Sequence, residues 1–251
     1  MKKKAKNDTV STYRTIFEQF TSNQKEALSL SVHFFEAHTP YEFLGNPRDG
    51  IVSDYFLKKV VPHKKFVKEE GEALLSHDWF VRFLNVDNEG LGQVIEKKDI
   101  VETFTRNLLI HDLSKFSVNE AVGYAFHDFK RPQLTQHIFK AACHHHKMNN
   151  PHHIEYWFDV KNNGTCEPLQ MPTLYIGEML ADWLGESRGY GTEICDWLYA
   201  NLQKMVFHER TAHYLRYALE MMGYNYMKHD TDEGYSRLLP VGRGFQKPFG
   251  L

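Results

Sequence analysis

Apolar residues recur at three- and four-residue intervals through most of the chain, and alternating apolar and polar runs of strand length are scarce. Such a pattern gives each helix one stripe to bury and leaves no half-buried strand from which to build a sheet, so the fold class is all-α, a helical bundle. The periodicity predicts helices over about 11–37, 52–83, 97–115, 118–128, 133–146, 172–184, 190–206 and 209–227. Gly45 to Gly50 and Asn85 to Gly92 read as loops and Asn162-Asn163-Gly164 as a turn. Ser117-Val118-Asn119-Glu120 has the S-x-x-E form in which both side chains satisfy free amides at a helix start, and Pro172 suits the first turn of another helix. From Thr231 onward glycine, proline and basic residues predict an irregular tail on the surface or against a neighbour. The organisation expected is a helical extension over 1–50, one helical domain over 51–228 and a tail over 229–251, with no division into two folding domains.

A formal net charge of −2 offers no global attraction for a polyanion, so no nucleic-acid surface is indicated. Lys64, Lys65 and Lys68 read as a solvated face. Arg237, Arg243 and Lys247 have no compelling spacing, and the stripe of Leu215, Leu219 and Met222 reads as core. Cys143, Cys166 and Cys195 are far apart and form no CxxC, which argues against a disulfide framework or a thiolate zinc site and for a reducing, cytoplasmic compartment. The four lysines of Met1–Asp8 are followed by Asn7-Asp8-Thr9, not by the apolar stretch of a secretory signal. No segment has the roughly 18 apolar residues that span a bilayer, so no membrane partner is expected, while a homo-oligomer stays open.

The chain has 15 histidines, and eight of them fall between His111 and His153. Clustered imidazole points to metal or proton chemistry. His111-Asp112 follows the apolar Leu108-Leu109-Ile110, and adjacent imidazole and carboxylate can reach one cation where packing fixes the backbone. In His144-His145-His146 successive residues diverge by about 100°, so at most two can face one centre. Asn149-Asn150-Pro151 should break that helix and turn His152 or His153 toward the same centre from another direction. Glu178 and Asp182 are four residues apart and share a helix face. The apolar surroundings of Asp182 favour burial, and a buried carboxylate requires a partner such as a cation.

This order, an early histidine, His-Asp with a following lysine, further histidines and a late aspartate, resembles the HD superfamily of metal-dependent phosphohydrolases. His111-Asp112-Leu113-Ser114-Lys115 is similar to that family's His-Asp-x-Gly-Lys, with Ser114 in the glycine position. HDLSKF, then HHxxxNPHHxEYW, then a late Glu-Met-x-x-Asp-Trp resemble more closely a family of unknown function with the HD pattern, over roughly residues 55 to 210. The resemblance implies an HD-like helical bundle with His111, Asp112 and Asp182 as ligands of one metal. His63 is preferred to His77 as the early histidine; on one continuous helix the two would stand about 21 Å apart, so only one can serve.

Superfamily members with extra histidines hold a second metal bridged by the aspartate, which implies ligand roles for His145 and His153. Spacing leaves open which member of each adjacent pair is the ligand. The cofactors implied are two divalent ions drawn from Mn, Fe, Mg, Ni or Zn. The function implied is hydrolysis of a nucleotide or other small phosphorylated metabolite, with a metal-bound hydroxide attacking phosphorus. Lys115 would bind the substrate phosphate, His146 and His152 are the candidates for proton transfer, and Asn150 and Glu178 the further candidates for substrate contact. Two rivals remain: a di-iron oxygenase on the same scaffold, and a non-catalytic, metal-stabilised ligand-binding protein.

Overall fold

A computed structural model describes residues 51–88, 100–129, 132–231 and 234–241. The expected helix over 11–37, the loop at Gly45–Gly50 and the whole 1–50 extension, residues 89–92 of the expected Asn85–Gly92 loop, and Arg243 and Lys247 lie outside the described residues. The fold is mainly α-helical, with two two-stranded antiparallel hairpins among the described residues. Among the described residues no helix is long and apolar enough to cross a membrane. The chain divides into two compact units: 51–65 with 108–129 and 132–150, and 66–88, 100–107, 151–231 and 234–241.

The first unit begins with α1 (Ile51–Tyr55), a π-helical turn (Phe56–Val60) and the start of α2 (Val61–Leu75). The π turn brings Phe56 and Val60 inward, where they join Tyr55, Val61, Phe116, Ala121 and Ala125 in one apolar cluster. The Phe56 and Phe116 rings pack at 4.8 Å between centroids. Phe116 closes a 3-10 turn (Leu113–Phe116) that follows the end of α4 (Ile100–Ile110) and leads into α5 (Val118–Phe129). Helix α6 (Pro132–Asn149) lies against α5 so closely that a Cβ on Gly123 would sit 2.6 Å from the Ala142 Cβ and 2.8 Å from the Ile138 carbonyl oxygen. The absence of a side chain at Gly123 therefore sets the spacing of the two helices.

In the second unit α3 (Asp78–Leu84) and α7 (Thr173–Tyr190) meet at Gly177, where a Cβ would lie 2.6 Å from Leu84 Cδ2. Thr173 locks the start of α7 to the loop after α3: its amide donates to the Asp87 carbonyl at 2.8 Å, and the Asp87 amide donates to Thr173 Oγ1 at 3.2 Å. The buried Asp87 carboxylate accepts from the Tyr214 hydroxyl at 2.9 Å and pairs with Arg210 at 2.6 Å, both on α9 (Glu209–Met221). Between α7 and α9 run α8 (Ile194–Asn201) and a 3-10 turn (Leu202–Lys204). Hairpin β1 (Phe158–Val160) with β2 (Cys166–Pro168) aligns Asp159 with Glu167, and its connection contains the expected turn, with Gly164 at φ 81°.

Several boundaries differ from the sequence expectation for local reasons. The helix expected over 52–83 stops at Leu75 and restarts at Asp78, with His77 extended as the N-cap of α3. The helix at 97–115 ends at Ile110, before the His-Asp pair. The helix expected to end at 146 runs to Asn149, one residue before the Asn150-Pro151 break. Past Met221 the chain turns at Gly223, φ 88°, and enters β3 (Tyr226–Asp230), which pairs with β4 (Ser236–Pro240). The tail expected to be irregular thus contributes a strand; Tyr226, Ser236 and Leu238 supply its buried side chains.

Candidate metal centre

The centre of the first unit is the turn at His111-Asp112. Ile110 is the last residue of α4, and Asp112 adopts φ 57°, the only positive φ of a non-glycine residue among the described ones. Left-handed backbone costs an ordinary residue roughly 1–2 kcal/mol, less for aspartate, whose side chain can bond locally. Such local strain concentrates at functional sites. The conformation turns the Asp112 carboxylate inward, where the residue is 1% exposed.

His63 projects from α2 to the same place. Its Nε2 lies 3.2 Å from Asp112 Oδ2, and His111 Nε2 lies 3.6 Å from the same oxygen. His63, His111 and Asp112 are all buried, and each offers one ligand atom within 4.8 Å of the others. Separations near 3 Å between donor atoms are what ligands about 2.0–2.2 Å from one cation must have. The donor set, two imidazoles and a carboxylate, suits a divalent transition ion. This buried His/Asp cluster can therefore hold a metal ion.

The other oxygen of Asp112 faces a third imidazole. His146 Nε2, from α6, lies 3.3 Å from Asp112 Oδ1. Its Nδ1 lies 2.9 Å from Glu120 Oε2 on α5. Burial lowers the His146 pKa below the usual histidine value, an effect that Asp112 and Glu120 oppose only in part, so the ring is neutral at physiological pH. His145 differs. Its Nδ1 meets Glu120 Oε1 at 2.7 Å, its Nε2 meets the Asn119 amide nitrogen at 3.2 Å, and it points partly to solvent.

Lys115 Nζ lies 2.7 Å from Asp112 Oδ2 and over the Tyr124 ring. Burial works against its charge, yet the adjacent carboxylate, with Tyr55 and Tyr124, holds its pKa well above the ordinary lysine range. Burial in turn raises both tyrosine pKa values, so these phenols stay protonated. The side-chain amide of Asn150 donates to Ser114 Oγ and to the His146 carbonyl, both at 2.7 Å. It ties the end of α6 to the turn after Asp112.

The second unit holds the other sequence candidates. His152 is buried just past α6, with Nδ1 3.1 Å from Glu178 Oε1, and the Asn107 amide donates to Glu178 Oε2 at 3.2 Å. The His153 ring is 4.4 Å from that of His152. Trp157 Nε1 donates to the Pro151 carbonyl at 2.7 Å and fixes the turn that carries both. Asp182 lies one turn beyond Glu178 on α7 and is half-buried.

A family model described as "Family of unknown function (DUF5662)" matches residues 53–221. The chain belongs to DUF5662. No curated protein and no solved structure matches it. In this DUF5662 chain the matched span includes His63, the His-Asp turn, α6 and α7, the elements on which the motif resemblance rests.

Two features of the DUF5662 centre differ from the sequence reading. Glu120 does not close a capping box. It is fully buried and turned to α6, while Ser117 Oγ has no hydrogen-bond partner among the described residues. Lys64 is not part of a solvated face. It is 1% exposed, and its ammonium donates to the carbonyls of Leu109, at 3.1 Å, and His111. Both residues were legible only through their neighbours: Glu120 stands three positions before Gly123, on the face where α6 approaches most closely, and Lys64 adjoins His63.

Proposed function

We propose that this DUF5662 chain is a metal-dependent hydrolase of phosphate esters, with a divalent ion held by His63, His111 and Asp112. The single observation that supports it best is the convergence of both imidazoles on Asp112 Oδ2, within a buried turn whose backbone is left-handed. Because the other Asp112 oxygen faces His146, the carboxylate has one face for each of two ions, in keeping with a dinuclear site. A divalent ion bound there supplies neutralisation of a phosphoryl oxygen and acidification of water.

The chain's own residues have separate parts. Lys115 keeps its charge beside Asp112 and is the cation available to a substrate phosphate. His146, neutral through burial, offers a lone pair at Nε2. The Lys115 ammonium lies over the Tyr124 ring, and the phenols of Tyr55 and Tyr124 stay protonated beside it. A nucleotide is the substrate class suggested by the HD resemblance, and its selection falls to groups beyond this set.

The test is release of inorganic phosphate from a panel of nucleotides and small phosphate esters by protein loaded with Mn²⁺. Lys115→Met should raise KM more than tenfold if the ammonium holds phosphate. Oxygen uptake by as-isolated iron-loaded protein, without phosphate release, would replace this reading with the oxygenase one.

A further inference from the structure

Glu120 is fully buried and grips two successive histidines of α6, Oε1 at His145 Nδ1 (2.7 Å) and Oε2 at His146 Nδ1 (2.9 Å). A carboxylate only accepts, so each Nδ1 is the nitrogen that carries the proton. Asn150 Nδ2 also lies 3.0 Å from His146 Nδ1, but its two protons go to Ser114 Oγ and the His146 carbonyl. Ser114 Oγ stands 3.3 Å from the same Nδ1, but Glu120 Oε2 is nearer at 2.9 Å and can only accept, so the Nδ1 proton of His146 goes to Glu120. In a neutral imidazole Nε2 then carries the lone pair, and it faces another acceptor, Asp112 Oδ1, at 3.3 Å. Two acceptors at that distance repel unless a cation lies between them. For His145 the corresponding lone pair is already met by the Asn119 amide at 3.2 Å.

We propose that Glu120 is a positioning residue of the centre: it fixes the Nδ1-protonated tautomer of His146, aims Nε2 at the Asp112 side of a metal, and thereby makes His146 the ligand and His145 the anchor. The inference rests on the metal reading above and answers a question that sequence spacing leaves open. Adjacent helical residues diverge by about 100°, so both imidazoles reach one carboxylate only because α5 and α6 are in near-backbone contact at Gly123. Carboxylates that orient metal-binding histidines in this manner typically contribute 10- to 100-fold in metal affinity.

The experiment uses the full chain labelled with ¹⁵N-histidine, metal-free and then titrated with Zn²⁺, in wild type and Glu120→Gln, His145→Ala and His146→Ala. Wild-type His146 should show the Nδ1-H tautomer before metal is added, and its Nε2 resonance should shift on titration. Glu120→Gln should mix the tautomers and weaken Zn²⁺ at least tenfold. His146→Ala should lose affinity by more than that, and His145→Ala by less than threefold. An Nε2-H tautomer in the wild type overturns the proposal whether or not metal binds, as does His145→Ala exceeding His146→Ala. An Nδ1-H tautomer in a protein that takes no Zn²⁺ upholds the grip of Glu120 and removes the metal reading instead.

Discussion

Lys64 donates a hydrogen bond to the main-chain carbonyl of His111. Its neighbour on α2, His63, reaches the side chain of Asp112. One turn of one helix therefore holds the His-Asp turn twice, by its backbone and by its carboxylate. The last carbonyls of α4 have no partner within their own helix, and a lysine ammonium is a favoured one. Lys64→Met keeps most of the volume and removes the donor. It should cost about 2 kcal/mol, since hydrogen bonds to charged groups contribute roughly 1.5–3 kcal/mol. The loss should appear as a Tm lower by about 4–8 °C. Lys65→Met, at the exposed neighbour, should stay within about 0.5 kcal/mol of wild type. Equal effects of the two would contradict the buried role of Lys64.

Gly123→Ala carries a sign that helix propensity alone gets wrong. In an open helix alanine is preferred over glycine by about 1 kcal/mol. Here the added Cβ meets the Ala142 Cβ and the Ile138 carbonyl under 3.0 Å, and a backbone atom cannot step aside cheaply. The net effect should be a destabilisation of about 1–3 kcal/mol. Because α5 carries Glu120 and α6 carries His145 and His146, metal affinity should fall with it. Chemical denaturation and Zn²⁺ titration of the same sample measure both.

Glu178 was a candidate for substrate contact, yet it is buried between His152 and Asn107. Glu178→Ala should leave His152 Nδ1 and the Asn107 amide without their acceptor, at a cost of about 1–3 kcal/mol for each buried group left unsatisfied. Thermal melts without any substrate reveal this. An unchanged Tm would return Glu178 to a role reserved for ligand.

The sequence carried the helical class because the three-four periodicity is written in the apolar residues of α4, α5 and α9, where tertiary context agrees with local preference. HDLSKF put the His-Asp pair near a helix end, and the HD resemblance preferred His63 to His77 as the early histidine. What the sequence could not carry depended on which way a side chain turns. Glu120 fits a capping box by spacing, and only the contact at Gly123 makes the inward direction better. Lys64 looks solvated in a run of lysines until the helix end it caps is in place. The break at Ser76-His77 has no proline or glycine to announce it. Hairpin β3–β4 is short, and its buried side chains were masked by the charged residues between them.

The central claim is that Asp112 binds metal, and the most direct test is elemental analysis per chain of wild type and Asp112→Asn, each purified without added metal and again after loading with Mn²⁺ or Zn²⁺. Asparagine preserves the side-chain shape and tolerates the left-handed backbone, so loss of metal will not reflect a misfolded turn. The account predicts at least one ion per wild-type chain and a loss of most of it in Asp112→Asn, with circular dichroism unchanged. Equal metal content in the two proteins, or none in the wild type under any loading, would contradict it.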